Sequence, residues 1–181
     1  MRVADARIFQ AQFNWRDVER IKRNCRIPLV LKGIATAEDA RIALDHEVDC
    51  IYVSNHGGRQ LDQGVGSIDM LPEVAEAVAG RARIVVDGGI SRGTDVVKAL
   101  ILGADAVACG RLYVYGLAAA GTDGVVRLFE ILEDEIRICL SLLGVSGYHE
   151  LDKSYIRPAR QVMAPHVHSA FPHLNLPRET Y

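Results

Sequence analysis

Short apolar runs alternate with amphipathic segments along most of the chain. The apolar runs are typical of buried β-strands and are predicted at 27–33, 50–54, 82–87 and 106–109. Apolar residues at helical spacing predict helices at 15–25, 36–47, 68–79, 94–102 and 122–143. Because strand and helix alternate four times, we expect an α/β fold with a parallel sheet and right-handed crossovers.

Capping residues mark several helix ends. Thr36, with Asp39 three positions on, has the form of a capping box. Asp69 and Pro72 are expected at the entrance of the 68–79 helix, and Gly103 is expected to stop the 94–102 helix. One apolar stripe of the 122–143 helix is predicted to pack into the core: Val125, Leu128, Phe129, Leu132, Ile136, Cys139, Leu140 and Leu143.

Composition and charge favour a single globular domain over residues 1–181, with an irregular tail from Val145. The 181 residues are 49% hydrophobic and carry a formal net charge of −2, which gives no electrostatic footprint for nucleic acid. No apolar stretch is long enough to span a bilayer, and the first residues lack the apolar core of a signal peptide. We therefore expect a cytoplasmic protein.

The cysteines and the tail histidines give weak signals. Four cysteines lie far apart without a C-x-x-C pair, which argues against a zinc site and fits buried free thiols in a reducing compartment: Cys25, Cys50, Cys109 and Cys139. His166, His168 and His173 in the tail leave a metal site open, but no carboxylate or cysteine completes a pattern, and plain terminal histidines are the commoner case. The 169–172 segment is expected to pack the tail onto the domain.

The segment from Ser54 to Asp62, SNHGGRQLD, carries the clearest chemistry in the chain. It follows an apolar strand and places a proton acceptor, His56, three residues before an anion binder, Arg59, with two glycines between them. Glycine adopts positive φ readily and lets the backbone approach a ligand. The alternative interpretation is a polar surface loop that contains these side chains by chance.

Polar or glycine-rich residues end all four predicted strands, where parallel α/β folds place their sites. The ends are Lys32-Gly33, Ser54-Asn55-His56, Asp87-Gly88-Gly89 and Gly110-Arg111. The last two predict a phosphate site, because glycine loops before helices expose backbone N–H groups. The alternative is that these glycines only form tight βα turns. Lys32 is either a lysine snorkelling from a strand end or a fixed cation beside an electron-accepting ring.

Together these motifs resemble the FMN-dependent α-hydroxy acid oxidases and dehydrogenases, which include glycolate oxidase, lactate oxidase and monooxygenase, mandelate dehydrogenase and flavocytochrome b2. The resemblance runs from about Trp15 into the long helix. It rests on Leu31-Lys32-Gly33-Ile34, the Ser54–Asp62 segment, Asp87-Gly88-Gly89-Ile90 with Arg92-Gly93-Thr94-Asp95, and Gly110-Arg111. The Asp-Gly-Gly loop alone is less specific, since it is also similar to IMP dehydrogenase and type 2 isopentenyl-diphosphate isomerase.

The resemblance implies a role for each matching position. His56 would be the base that takes a proton from a small 2-hydroxy acid such as lactate, and Arg59 would hold the substrate carboxylate. Lys32 would stabilise the reduced flavin, and Ser54 would contact the ring. The remaining cofactor positions would bind the ribityl chain (Asp87) or surround the phosphate: Gly88, Gly89, Ser91, Gly110 and Arg111. The implied cofactor is FMN and the implied product is a 2-oxo acid.

Two departures from the family pattern affect these expectations. Ser91 stands where the family usually has arginine, and a charge-assisted bond is worth roughly 1.5–3 kcal/mol. We expect FMN to bind about tenfold to a hundredfold more weakly unless Arg92 turns inward. The chain also matches only the carboxyl-terminal half of a TIM (β/α)8 barrel, which needs about 250 residues.

The missing half matters because it normally supplies the opposite flavin wall, a substrate tyrosine and the carboxylate that orients the histidine. We therefore expect association with an amino-terminal half or with further copies of this chain, since four parallel strands expose two edges and an apolar face. Two alternatives stay open beside the enzyme. One is a non-catalytic flavin- or phosphate-binding half-barrel, and the other is a self-assembling structural half-barrel.

Overall fold

A computed structural model describes residues 12–61 and 63–159. The chain divides into two compact units. The first takes in the chain up to Gly88 together with Gly103–Ala108. The second takes in Gly89–Leu102 and the chain from Cys109 onward.

The first unit is built on the predicted parallel sheet. Its strands are β1 (Val30–Ile34), β2 (Cys50–Val53), β3 (Arg83–Asp87) and β4 (Ala106–Ala108), in the spatial order β1-β2-β3-β4. Its helices are α1 (Trp15–Asn24), α2 (Ala37–Asp45) and α3 (Ser67–Val78). Because every pairing is parallel, the carboxyl ends of all four strands lie at one edge.

The core of this unit lies between one sheet face and the helices α2 and α3. Its buried side chains are Ala40, Ala43, Ile51, Val53, Leu71, Val74, Val78, Ile84 and Val86. The apolar run of β3 predicted a strand buried on both faces, but its burial alternates. Val85 is half-buried and Arg83 is exposed, so within the described residues only one face is fully covered.

The first strand differs from its prediction at both ends. It begins at Val30 rather than residue 27, because the Asp49 carboxylate accepts hydrogen bonds from the Leu29 N–H (2.7 Å) and Lys22 Nζ (2.5 Å) and so fixes the chain just before the strand. It also continues past Gly33 to Ile34 through a register shift, with φ 101° at Gly33.

The helix caps confirm part of the predicted pattern. Thr36 Oγ1 accepts from the Asp39 N–H at 3.1 Å, as expected. Asn14 and Asp17 form a capping box on α1 that was not predicted. Pro72 lies inside α3 rather than at its entrance, since the helix already begins at Ser67.

The second unit contains α4 (Gly93–Ile101) and α5 (Arg111–Leu143). A break at Ala120 and Gly121, where Gly121 has φ 59°, divides α5 into two helical segments. The second segment confirms the predicted helix over 122–143, whereas the first, which begins at Arg111, was not predicted. The two segments pack closely, since a Cβ on Gly116 would lie 2.7 Å from the Gly124 carbonyl oxygen. On the predicted stripe Leu132 is buried, whereas Phe129 is half-exposed.

From Gly144 to residue 159 the chain is irregular, as predicted for this part of the tail, with short 3-10 turns at Tyr148–Glu150 and Lys153–Tyr155. The predicted tail contacts and the histidines at 166, 168 and 173 lie outside the described residues. Across the part of the chain that the structure describes, no helix combines the length and apolarity needed to cross a membrane.

Candidate functional site

Three polar side chains meet at the carboxyl edge of the sheet. Lys32 Nζ donates to Ser54 Oγ at 2.8 Å and forms an ion pair with the Asp87 carboxylate. Ser54 Oγ in turn donates to Asp87 Oδ1 at 2.5 Å. The Lys32 ammonium also lies 3.9 Å from the centre of the Tyr52 ring, which adds a cation–π contact.

Strand register explains why these side chains converge. Lys32 pairs with Tyr52, and Tyr52 pairs with Val85. Side chains two residues apart on a strand share a face, so Ser54 and Asp87 follow on the face that carries Lys32. Ser54 is buried, at 4% exposure, while the Lys32 side chain keeps 44% of its surface exposed. A ligand at this edge can therefore reach both a cation and a carboxylate.

His56 lies in a left-handed turn directly after β2. His56, Gly57 and Gly58 have φ values of 57°, 66° and 69°. The region suits glycine but costs a residue such as histidine of order 1–3 kcal/mol, so the surroundings must hold it. Two hydrogen bonds do so: the His56 N–H donates to Ser54 Oγ at 3.1 Å, and the Gly57 N–H donates to Asn55 Oδ1 at 2.9 Å.

Asn55 and Ser67 anchor this turn, although neither was singled out from the sequence. Asn55 Nδ2 donates to the Val65 carbonyl oxygen at 2.9 Å, and the Asn55 N–H donates to Ser67 Oγ at 3.3 Å. Ser67 is buried and donates back to Asn55 Oδ1 at 3.3 Å. A Cβ on Gly88 would lie 2.9 Å from Ser67 Oγ, so the residue after Asp87 must be small. The only sequence signal was the run Asn55-His56-Gly57-Gly58, because asparagine and glycine favour turns.

The two chemically active side chains of the turn are exposed. Gln60 Nε2 lies 3.2 Å from His56 Nδ1. Within residues 12–61 and 63–159, no side chain forms an ion pair with the Arg59 guanidinium. The His56 ring therefore has a polar partner on the turn itself.

The predicted phosphate residues divide between the units, with Gly88 in the first and the others in the second. Gly89 has φ 76°, and a Cβ there would meet no atom within 4 Å, so the backbone is open at this point. The same openness holds at Gly110, which precedes the first residue of α5, Arg111. The positive φ at Gly89 fits a tight turn, and the helix that starts at Arg111 fits an anion site, so both interpretations of these glycines stay open.

Neither Ser91 nor Arg92 offers a free positive charge for a phosphate. Serine is neutral, and the Arg92 guanidinium is paired with Glu135. Ser91 Oγ donates to the Gly89 carbonyl oxygen at 3.4 Å, whereas Arg92 Nη2 forms an ion pair with Glu135 Oε1 at 2.6 Å. The Gly93 N–H also donates to Glu135, at 2.7 Å. The alternative in which Arg92 turns inward is therefore not the arrangement found, because its guanidinium is held on α5.

Electrostatics reinforce this arrangement. Partial burial favours the neutral form of Glu135, but the Gly93 N–H and Arg92 outweigh it and lower the pKa of Glu135 below its usual value. The hydrogen bond that Arg92 donates to the Glu135 carboxylate, together with the negative charge of Glu135, raises the pKa of Arg92. Both groups are therefore charged at neutral pH, and α4 is fixed to α5 at its first turn.

The four cysteines are free, as predicted, but each is only partly buried. Burial raises the pKa of the Cys109 thiol, which makes it a poor nucleophile near neutral pH. Among the described residues, no cluster of histidine, cysteine and carboxylate side chains could hold a metal ion.

Sequence alignments with curated relatives cover most of this chain but less than half of each relative. A peroxisomal (S)-2-hydroxyacid oxidase of Arabidopsis thaliana is 45% identical over 152 residues, which is 84% of this chain and 42% of the relative. An L-lactate oxidase of Lysinibacillus sphaericus is 46% identical over 80% of this chain and 37% of the relative. The 2-hydroxyacid oxidase 1 of Homo sapiens is 44% identical over 84% of this chain and 41% of the relative.

Solved structures support the same grouping. A mandelate oxidase with benzoyl-formic acid superimposes with a TM-score of 0.73 at 48% identity, over 76% of this chain and 41% of that chain. A mandelate oxidase variant with a monooxide FMN adduct has the same TM-score and identity. These neighbours confirm the predicted α/β architecture of a partial TIM (β/α)8 barrel.

The profile of the FMN-dependent dehydrogenases matches residues 2–158, which takes in both the His56 turn and the open glycines. With that match over most of the chain, and with relatives at about 45% identity, the chain belongs to the FMN-dependent dehydrogenase family.

Proposed function

We propose that this chain supplies the base, the carboxylate clamp and much of the FMN site for oxidation of a small 2-hydroxy acid to a 2-oxo acid. The observation that carries the proposal is the Lys32–Ser54–Asp87 cluster at the strand edge, with the His56 turn bonded directly to Ser54. This arrangement puts a cation, a carboxylate and a proton acceptor on one small part of the molecule. FMN, when bound, supplies a two-electron acceptor.

The substrate-side roles follow from charge and position. Arg59 binds the substrate carboxylate through its planar guanidinium, which suits a bidentate contact. His56 takes one proton from the substrate as C2 is oxidised. In the balanced reaction the 2-hydroxy acid loses two electrons and two protons and becomes a 2-oxo acid; His56 would take one proton, and the two electrons with the second proton would pass to FMN.

The cofactor-side roles use the remaining residues. Lys32 and Ser54 would contact the polar edge of the ring, and Asp87 would accept hydrogen bonds from the ribityl hydroxyls. Around the phosphate would lie Gly88, Gly89, Ser91, Gly110 and Arg111. Because Arg92 is bound to Glu135, Arg111 would be the guanidinium that this segment gives to the phosphate. Fixed charge placed where negative charge accumulates lowers the barrier without reorganisation.

The names of the relatives support a small hydroxy acid as the substrate. They include (S)-2-hydroxyacid oxidases, L-lactate oxidases, an L-lactate dehydrogenase and mandelate oxidases. Lactate, glycolate and mandelate share a carboxylate beside a secondary or primary alcohol, which is the group that Arg59 and His56 would recognise. We propose this substrate class and take lactate as the first compound to test.

The test is FMN titration of the purified chain, followed by addition of lactate, glycolate or mandelate without oxygen. We expect flavin fluorescence to change on binding and the flavin absorbance to bleach with substrate. His56→Ala should still bind FMN but should reduce it at least a hundredfold more slowly. Bleaching of the His56→Ala protein at the wild-type rate would refute the role of His56, and failure of the wild type to bind FMN would refute the cofactor site.

A second function is supported by the open backbone at Gly89 and Gly110, because an anion site there does not depend on His56 or Arg59. On that alternative the chain binds FMN or a related phosphate without oxidising a hydroxy acid. FMN binding with no bleaching by any of the three acids would select it over the enzyme.

A further inference from the structure

We propose that Tyr52 is a positioning residue for Lys32, and that the face of its ring holds the Lys32 ammonium at the carboxyl edge of the sheet. The inference rests on the proposed function, in which Lys32 stabilises the reduced flavin. It extends that function by naming a side chain that keeps the cation in place, at a position that the sequence motifs did not single out.

Strand register places the two side chains next to each other. Lys32 on β1 and Tyr52 on β2 are paired in the parallel sheet, so their side chains lie on the same face. The ammonium reaches Ser54 Oγ, two residues further along β2, at 2.8 Å. The lysine stem therefore runs past the Tyr52 ring, and the ammonium lies 3.9 Å from the ring centre. This distance is inside the limit of about 6 Å for a cation–π contact.

The groups that contact the ammonium differ in charge. Asp87 forms an ion pair with it and so offsets much of its positive charge. The Ser54 hydroxyl and the Tyr52 ring are neutral, and they hold the ammonium without offsetting that charge. In the proposed function the Asp87 carboxylate also accepts hydrogen bonds from the ribityl hydroxyls, which compete with Lys32 for its oxygens. Ser54 and Tyr52 would then keep the positive charge at the strand edge.

Lys32 needs such support because it is partly exposed. Its side chain keeps 44% of its surface in contact with solvent, and a four-carbon stem is flexible. The Tyr52 side chain is half-buried in the sheet face, so its ring offers a fixed surface. A cation held where negative charge accumulates stabilises that charge without reorganisation, whereas a mobile cation must first be brought there.

Three substitutions separate the ring face from the rest of the side chain. The attraction comes from the negative face of an aromatic ring, which Tyr52→Phe keeps and Tyr52→Leu removes. Tyr52→Phe made with a trifluorinated ring keeps the shape but withdraws charge from the face, so it tests the contact while conserving the packing. Val85→Ala is the control for lost apolar volume, because Val85 is the partner of Tyr52 on β3.

The first measurement is the NMR signal of the Lys32 ε-methylene protons in the full chain, identified by its loss in Lys32→Met. Protons over the face of an aromatic ring are shifted upfield by the ring current. We expect this shift in the wild type, in Tyr52→Phe and in Val85→Ala, and its loss in Tyr52→Leu. An unchanged shift in Tyr52→Leu, or a shift already lost in Tyr52→Phe, would overturn the proposal.

The second measurement is the affinity of each variant for oxidised and for reduced FMN, obtained by titration without oxygen. Tyr52→Leu should weaken the binding of reduced FMN about two- to fivefold more than that of oxidised FMN, as expected for an exposed cation–π contact. Tyr52→Phe should match the wild type, and its trifluorinated form should fall between Tyr52→Phe and Tyr52→Leu.

Two results of the FMN titrations would count against different claims. Equal weakening of both forms of FMN in Tyr52→Leu would indicate a packing role alone and would overturn the proposal for Tyr52. A wild-type chain that shows the upfield Lys32 signal but binds neither form of FMN would instead overturn the proposed function.

Discussion

We expect a larger coupling free energy between Lys32 and Asp87 than between the two members of an ordinary surface ion pair. The Asp87 side chain is 19% exposed and is bonded to both Lys32 and Ser54, so removing Lys32 leaves a partly buried carboxylate with one neutral donor. We predict a coupling free energy of about 1 kcal/mol between Lys32→Met and Asp87→Asn, kept modest because Lys32 is partly exposed to solvent. Urea unfolding of both single variants and the double variant measures it.

The matched control is the Arg83–Asp105 pair of the same sheet. Its two atoms are 2.7 Å apart, but the Arg83 side chain is 80% exposed. Solvent screening should hold its coupling below about 0.5 kcal/mol. If the two pairs gave equal coupling free energies, the Lys32–Asp87 contact would be an ordinary surface ion pair rather than a preorganised part of the site.

Individual residues of the site differ in how well the sequence predicted them. Lys32, Ser54 and Asp87 could be predicted to meet, because each ends or follows a strand of a parallel sheet. The anchoring of the turn by Asn55 and Ser67 could not, since it joins residues twelve positions apart through loop geometry that has no periodic signal. The role of Arg92 also depended on a long-range partner, Glu135, that no local pattern identifies.

The Glu135 carboxylate joins the start of α4 to α5. Glu135 accepts from Arg92 and from the Gly93 N–H, and Gly93 packs so closely that a Cβ would lie 2.6 Å from the Ile136 nitrogen. We predict that Glu135→Gln lowers the free energy of unfolding by about 1–2 kcal/mol near neutral pH. Chemical denaturation across pH measures the difference from wild type.

The difference in unfolding free energy between wild type and Glu135→Gln should decrease at acid pH. The pKa of Glu135 is lowered in the folded protein relative to its ordinary value of 4.5, so the carboxylate stabilises the fold above that value. The contribution is lost as the pH falls through the folded pKa, and the gap between wild type and Glu135→Gln should narrow in acid. The control is Glu130→Gln, which removes an exposed pair with Arg127 and should cost less than about 0.5 kcal/mol. A gap that stayed constant in acid would contradict this account.

Strands and helices were predicted more accurately at their centres than at their ends. The four strands and most helices lie where hydrophobic periodicity placed them, because burial against the sheet decides those positions. The first segment of α5, before the break at Ala120 and Gly121, was missed because Gly110, Gly116 and Gly121 are typical of loops. Gly116 in fact lies in the helix, where its missing side chain lets the backbone of Gly124 approach.

Within residues 12–61 and 63–159, one face of the sheet is less well covered than the other. Successive side chains on a strand point to opposite faces of the sheet. Ile51 and Ile84 therefore lie on the buried face, whereas Val30, Tyr52 and Val85 lie on the other face. Val30 is 51% exposed, and within the described residues β1 and β4 each have a strand neighbour on one side only. Parallel sheets are almost always covered on both faces, so this arrangement is unusual for a protein that acts alone.

We predict that the chain associates in solution, because association would cover the edge of β1 and the apolar side chains beside it. Light scattering and sedimentation over a range of concentrations should give a mass above that of one 19.8 kDa chain. Val30→Lys places a charge on the exposed edge and should shift the equilibrium toward the monomer, whereas Leu142→Lys, on the 83% exposed side chain at the end of α5, is the control for added charge alone. A monodisperse monomer with one cooperative melt at every concentration would show that the chain covers this face by itself, and the expected association would then be wrong.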